Sequence, residues 1–273
     1  MKILALDTAT EACSVALLLD DRIIAREMEF ERGHAEHILP MVDAVLVEAG
    51  VALSGVDALA FGRGPGGFTG VRLAASVTQG LAFAAGLQVA PVSDLAAVAQ
   101  RALDMEPRVD RVLVCNDARM QEVYWGCFER GAHGLATTAG LEHVGPPSTV
   151  ELPAHWRVSG VKGSGAQPNE LAALEKSGTA SVAPGVTSPG ALAGLVGVVG
   201  RGFRAYPELQ SKLMPSGKDE GDVLLISETL LPRAHEIARL AVTEVAAGRM
   251  LPPDQAIPVY LRDDVARPPP SRN

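Results

Sequence analysis

Leu6-Asp7-Thr8-Ala9-Thr10-Glu11 and Asn116-Asp117-Ala118-Arg119-Met120-Gln121 lie 110 positions apart and align without a gap. At the same offset Leu4-Ala5 falls on Val114-Cys115, and Val15-Ala16-Leu17-Leu18 falls on Trp125-Gly126-Cys127-Phe128. Each copy reads as an apolar strand, a turn carrying an aspartate, and a second apolar strand. Two copies of one βββ-plus-helices unit predict a duplicated α/β fold: two lobes with mixed sheets and a cleft between them.

Working outward, residues 3–7, 13–19 and 22–29 read as three strands, the last two joined by a tight Asp20-Asp21 hairpin. His34 to Ala49 has helical spacing, with Ile38, Val42, Val45 and Ala49 on one face and Met41 on another. The apolar run Val56–Phe61 reads as a buried strand. It leads through Gly64-Pro65-Gly66-Gly67-Phe68-Thr69-Gly70-Val71-Arg72 into a helix ending at Ala85. Residues 88–93 form a short strand and Asp94–Leu103 a helix.

The first lobe is therefore expected to span 1–104, joined by a returning helix within 231–248 that starts at Pro232 and stops at Gly248. The second lobe spans 105–230. Within it, about 160–199 is dominated by Gly, Ala, Ser and Pro and reads as a mobile insertion, with a short helix around Asn169–Lys176. The tail 266–273 reads as disordered. The helices 34–49 and 71–85 carry more apolar positions than one buried stripe requires. The surplus fits either an oligomer contact through Ile38, Val42, Val45, Val71, Ala74 and Ala75 or plain packing of both helices between sheet and loops; of the two, the contact is the expectation.

Among the 273 residues, 47% are hydrophobic and 21% charged, which supplies a substantial core. Aromatic residues are only 4%, too few for a surface that stacks bases, and the net charge is −8. Autonomous binding to nucleic acid needs a basic face, and the sequence shows none. Cys13, Cys115 and Cys127 sit in strands without a CxxC, as buried reduced thiols do. No leader pattern opens the chain and no apolar run reaches a membrane span of about 20 residues, so a cytoplasmic protein is expected.

The glycine-rich loop at 64–72 aims amides at the positive end of a helix, where a phosphate can sit. It lacks the ending of a P-loop and is not GxGxxG, so on its own residues it reads first as a tight structural turn. Asp7, Thr8, Gly64, Gly66 and Gly67 are the candidate nucleotide-binding residues. The competing role for Asp7 is a turn cap on its own backbone amides. His34 and His37 share a helix face, but a metal would need a third ligand and Glu36 points elsewhere. No GxSxG or other nucleophile arrangement occurs. No metal site, catalytic residue or cofactor is expected.

Leu6–Thr10, Gly33-His34-Ala35-Glu36-His37-Ile38-Leu39-Pro40, Gly64–Arg72, Gly200-Arg201-Gly202-Phe203-Arg204-Ala205-Tyr206-Pro207 and Pro258-Val259-Tyr260-Leu261-Arg262 together resemble the bacterial TsaB (YeaZ) family. The resemblance covers most of the chain outside 160–199. It implies an actin-like/Hsp70-like ATPase-superfamily fold and a role in making threonylcarbamoyl adenosine next to the anticodon of tRNAs reading A-starting codons. It also implies the partners: a catalytic paralogue, TsaD, for which TsaB is the dimer partner, and the ATPase TsaE. Contact with tRNA is then indirect, through the complex, and a homodimer can form when the partner is absent. TsaD carries a metal-binding His-x-x-x-His; aligned through Pro91–Val98, those positions hold Asp94 and Val98 here. Valine cannot ligate, and a lone carboxylate does not replace two imidazoles.

Two readings from different classes follow: a non-catalytic scaffold for tRNA modification, and an ATP-dependent small-molecule phosphotransferase using Asp7 and the Gly64–Gly67 loop. A peptidase-like protein is a third, with no ligand set to support it. Intrinsic ATP turnover separates the first two.

Overall fold

Five of the six residues of β1 (Lys2–Asp7) are buried, and so are seven of the eight in β2 (Ala12–Leu19). Strands apolar on both faces belong inside a sheet covered on both sides. By contrast β3 (Arg22–Glu29) reads Arg-Ile-Ile-Ala-Arg-Glu-Met-Glu and is mostly exposed. Charges along it suit an edge strand that must not recruit another chain. The computed structural model, which describes residues 1–29, 32–156, 195–214 and 223–262, places these strands accordingly. With β4 (Ala58–Gly62) and β5 (Val89–Val92) they form a sheet in the order β3-β2-β1-β4-β5. The first two pairings are antiparallel and the last two parallel.

The second sheet repeats this plan. It comprises β6 (Arg111–Asp117), β7 (Val123–Arg130), β8 (Ala136–Thr138), β9 (His143–Gly145), β10 (Val196–Val199) and β11 (Val223–Ser227). Its order is β8-β7-β6-β10-β11, with β9 beside β7. Again the β8-β7 and β7-β6 pairs are antiparallel, and the β6-β10 and β10-β11 pairs parallel. The match of order and direction makes the duplication a structural fact. Two such lobes are the actin-like α/β arrangement.

Helices fill three layers around the two sheets. On the outer face of the first sheet lie α1 (His34–Ala49) and α2 (Phe68–Ala85). Between the sheets lies α3 (Asp94–Met105), whose N-terminus Ser93 caps by accepting the Ala96 amide at 3.1 Å. The outer face of the second sheet carries α4 (Gly202–Ala205) and α5 (Pro207–Leu213). Finally α6 (Ala234–Ala246) packs across β1 and β2 and against α3, so the central core draws on both lobes. Its first amide donates to Ser14 Oγ at 2.9 Å. Glu236 in its first turn is 1% exposed; burial alone would raise its pKa, but hydrogen bonds from His235 and Arg233 hold it down at about 2.

Three expectations need correction. Ile38, Val42, Val45, Val71, Ala74 and Ala75 do not face outward: they are 0–4% exposed, and all but Val71, which lines the cleft between the lobes, pack in the core on the first sheet. The strongest helical stripe is the one the chain's own sheet covers. Met41 shares that core with Ile38 instead of lying on a separate face. And 160–199 is not all insertion, because Val196–Val199 form β10, the centre of the parallel half of the second sheet. The expected helix at 169–176 and the tail at 266–273 lie outside the described residues.

Residues 251–262 cross from lobe to lobe as a strap. Leu251 and Val89 exchange backbone hydrogen bonds of 2.8 Å, and the Val259 amide donates to Arg63 O at 2.8 Å. At its end Arg262 ion-pairs with Glu122 and donates to Ala118 O at 3.2 Å, both in the β6-β7 turn of the other lobe.

Candidate functional site

The duplicated Asp turns end their strands at the mouth of a cleft of about 1170 Å³ between the lobes. Its walls are the Thr8–Glu11 turn, the start of α1, residues 65–73, the Asn116–Arg119 turn, Arg201 and the strap residues 259–262. The two turns are built alike. Asp7 Oδ1 accepts the Ala9 amide at 3.0 Å, and Asp117 Oδ1 accepts the Arg119 amide at 2.9 Å. Each aspartate caps the residue two positions on, the self-bonding turn open to an aspartate at a strand end.

The glycine loop is packed onto the first of these turns. Gly67 N donates to Ala9 O at 2.7 Å, Thr8 Oγ1 donates to Gly70 O at 2.6 Å, and Gly64 N donates to Asp94 Oδ2 at 2.5 Å. A Cβ on Gly66 would collide with Ala9, and one on Gly70 with the Thr8 carbonyl. These glycines are required by close backbone approach. Two loop amides, those of Gly64 and Gly67, are spent on internal partners, and the neighbouring turn packs directly against the loop. Asp7, Thr8, Gly64, Gly66 and Gly67 are thus brought together in one tightly packed joint.

Behind that joint, Asp7 and Asp94 are both fully buried. Both converge on Gly62, where two facing carboxylates would repel, so a proton on one of them is favoured. Asp7 Oδ2 and Asp94 Oδ1 have no hydrogen-bond partner among the described residues. Burial pushes both carboxyls above the usual range, and at Asp94 the Asp7 charge acts in the same direction. Gly62 packs so close that a Cβ there would strike both carboxyls. Val98, one turn further along α3, is also fully buried and has no ligating atom, so the Asp94/Val98 pair does not fit a metal. Among the described residues no three metal-ligating side chains converge. His34 Nε2 donates to Thr10 O at 2.9 Å, tying α1 to the first turn.

No motif or charge run announces the cleft's cations. Arg32, Arg72, Arg119, Arg201 and Arg262, scattered over most of the chain, all line it, against the carboxylates Glu11, Glu36 and Asp117. The Arg72 guanidinium lies 3.2 Å from the centroid of the Phe68 ring and 4.9 Å from that of Tyr260. Arg201 pairs with Glu11 across the lobes at 2.7 Å.

Comparison with known proteins identifies the lineage. Residues 28–195 match the family model described as TsaD, tRNA N6-adenosine threonylcarbamoyltransferase. The chain is 37% identical over 266 residues to the tRNA threonylcarbamoyladenosine biosynthesis protein TsaB of Escherichia coli, covering 97% of this chain and 96% of that one. To the protein of the same name from Haemophilus influenzae it is 51% identical over 125 residues, 46% of this chain and 52% of the other. Among solved structures, YeaZ from Pseudomonas aeruginosa superposes with a TM-score of 0.71 at 41% identity, covering 95% of this chain and 99% of that one. With a relative matched over nearly the whole length and the same two-lobed fold, this chain belongs to the TsaB (YeaZ) family.

Proposed function

We propose that this chain is a non-catalytic subunit in the synthesis of threonylcarbamoyl adenosine in tRNA, serving as dimer partner for a TsaD-like catalytic subunit with which a TsaE-like ATPase acts. The observation that carries the reading is the buried Asp7–Asp94 pair: two carboxyls packed against the Gly62 backbone leave no room for a metal or a substrate between them. The tightly packed glycine loop adds to it, since amides spent on internal partners make a poor phosphate cradle for the phosphotransferase alternative.

The partner surface follows from what α1 and α2 leave uncovered. Leu39 is 50% exposed, Val47 72% and Phe83 83%. Between the helices runs an apolar groove of about 530 Å³ lined by Leu39, Leu46, Val47, Val51, Leu53 and Leu81. A paralogue of the same fold presents the equivalent pair of helices, and two pairs together bury what each exposes.

The test is reconstitution. Supplied with tRNA and threonylcarbamoyl adenylate, the chain alone is expected to yield no modified adenosine and no ATP turnover. Addition of a TsaD-like subunit restores modification and produces a heterodimer on size-exclusion chromatography. Modification without that subunit refutes the scaffold reading, and steady ATP hydrolysis by the pure chain supports the phosphotransferase instead.

A further inference from the structure

Arginines at the cleft mouth differ in how firmly they are held. Arg262 and Arg201 are committed to Glu122 and Glu11. Arg119 has its guanidinium 81% exposed and only a loose 3.4 Å contact with Asp117. Arg72 rests on two aromatic rings with a long 3.4 Å bond to Phe68 O and no carboxylate. Arg32, exposed beside the start of α1, has no partner among the described residues. Three loosely held guanidiniums from three elements therefore converge on one cleft whose five arginines outnumber its three carboxylates, Glu11, Glu36 and Asp117, in a chain whose net charge is −8. Like charges gathered this way repel one another, so the arrangement is explained by a polyanion that neutralises them.

A nucleotide bound deep in the cleft is the poorer fit, because the Thr8–Ala9 backbone packs directly against the glycine loop there. The cations stand instead at the rim, on both lobes: Arg32 and Arg72 on the first, Arg119 on the second. Guanidinium forks spread along an open rim suit phosphates spread along a strand. We propose that the rim of this cleft, through Arg32, Arg72 and Arg119, binds the phosphodiester backbone of an RNA strand. The inference rests on the tRNA-modification reading above for the identity of the RNA. It makes this chain a direct, sequence-independent contributor to RNA binding within the assembly, where an indirect role was expected. The Tyr260 and Phe68 rings hold Arg72 in place at the rim.

The experiment compares the wild-type chain with the triple variant Arg32→Gln/Arg72→Gln/Arg119→Gln, each alone and with a TsaD-like subunit. Fluorescence anisotropy with a labelled tRNA transcript is followed across a salt series. Wild type is expected to bind with a steep salt dependence. The triple variant loses affinity at least about tenfold and flattens the log–log salt slope by about 2 to 3, near one per phosphate contact removed. The corresponding triple lysine variant, which keeps the charge, recovers most of the slope. Unchanged circular dichroism and partner association accompany the loss. Equal affinity and slope in wild type and the glutamine variant overturn the proposal. So does loss of partner association, which assigns the cations to a protein interface, or loss of ATP binding with tRNA binding intact, which assigns them to a nucleotide. Should wild type fail to pair with any TsaD-like subunit, the scaffold reading falls, and the salt-dependent binding of the isolated chain still decides this one.

Discussion

At Gly70 the backbone of α2 touches the Thr8 carbonyl so closely that no side chain fits between them. Gly70→Ala is expected to destabilise the chain by about 1–3 kcal/mol through forced displacement of the turn, read as a lower melting temperature. The Asp7–Asp94 pair makes a different demand. In the unfolded chain both carboxyls titrate near 4, whereas in the folded chain burial holds Asp7 up at about 7 and Asp94 well above its usual range. The folded state thus binds more protons than the unfolded one. Stability from this pair is fully present at acid pH and is lost as pH rises from about 4 through 7 and beyond. Charged groups near the pair are few: Arg63 beyond β4 favours the ionised form of Asp94, and Cys13 on β2 is itself pushed up to about 11, by burial first and then by Asp7. Asp94→Asn supplies a permanent donor to Asp7. It is expected to flatten the stability–pH profile between pH 6 and 9 in thermal melts and to leave the variant more stable than wild type at the alkaline end; an unchanged slope would refute the proton held on the pair. Of this site, the sequence showed the Asp7 turn, because an aspartate before small hydroxyl residues at a strand end makes a local motif. It could not show that Asp94, far along the chain, meets Asp7, since only the parallel placement of β1 and β4 brings α3 to that point.

Among the elements, α1 and α2 show how far periodicity carries. Spacing by three and four located a buried stripe at Ile38, Val42 and Val45, and the helix observed is His34–Ala49. Periodicity reports that a face is covered, not what covers it. The first sheet covers this one, so a partner can meet only the flanking positions Leu39, Leu46 and Val47. Two substitutions separate the faces. Val45→Glu places an unpaired charge in a fully buried position, at a cost of several kcal/mol, and is expected to abolish the cooperative melt. Leu39→Glu on the half-exposed face should melt within a degree or two of wild type while losing the TsaD-like subunit on size-exclusion chromatography. A folded Leu39→Glu variant that still binds would move the interface elsewhere. Strand β10 escaped notice for another reason. Val-Gly-Val-Val is four residues long, is buried on both faces and so shows no alternation, and follows a long Gly/Ala/Ser/Pro-rich run that masks it.

For the whole molecule, the duplicated plan was legible because each copy keeps the same order of strand, Asp turn and strand, and the sheets then repeat in order and direction. The cleft's arginines were not, since a basic patch assembled from distant loops leaves no trace in net charge. Nor could composition reveal that the two lobes share one interior. The inner face of the first sheet, with Ile3, Ala5 and Ala16, is covered by α6, whose residues follow the entire second lobe. A fragment of residues 1–104 is therefore expected to be insoluble or to bind a hydrophobic dye. A peptide of residues 231–248 added in trans should reduce that binding, and a soluble, cooperatively melting 1–104 fragment would contradict the shared core. The same geometry governs how the protein is made. A ribosome delivers the first lobe's strands long before it delivers the helix that shields them, so a nascent chain carries one bare sheet face through most of its translation. Pausing, premature termination or a nonsense mutation anywhere upstream of Ala234 releases a product with that face uncovered, a substrate for holdase chaperones and proteases in place of a half-working protein.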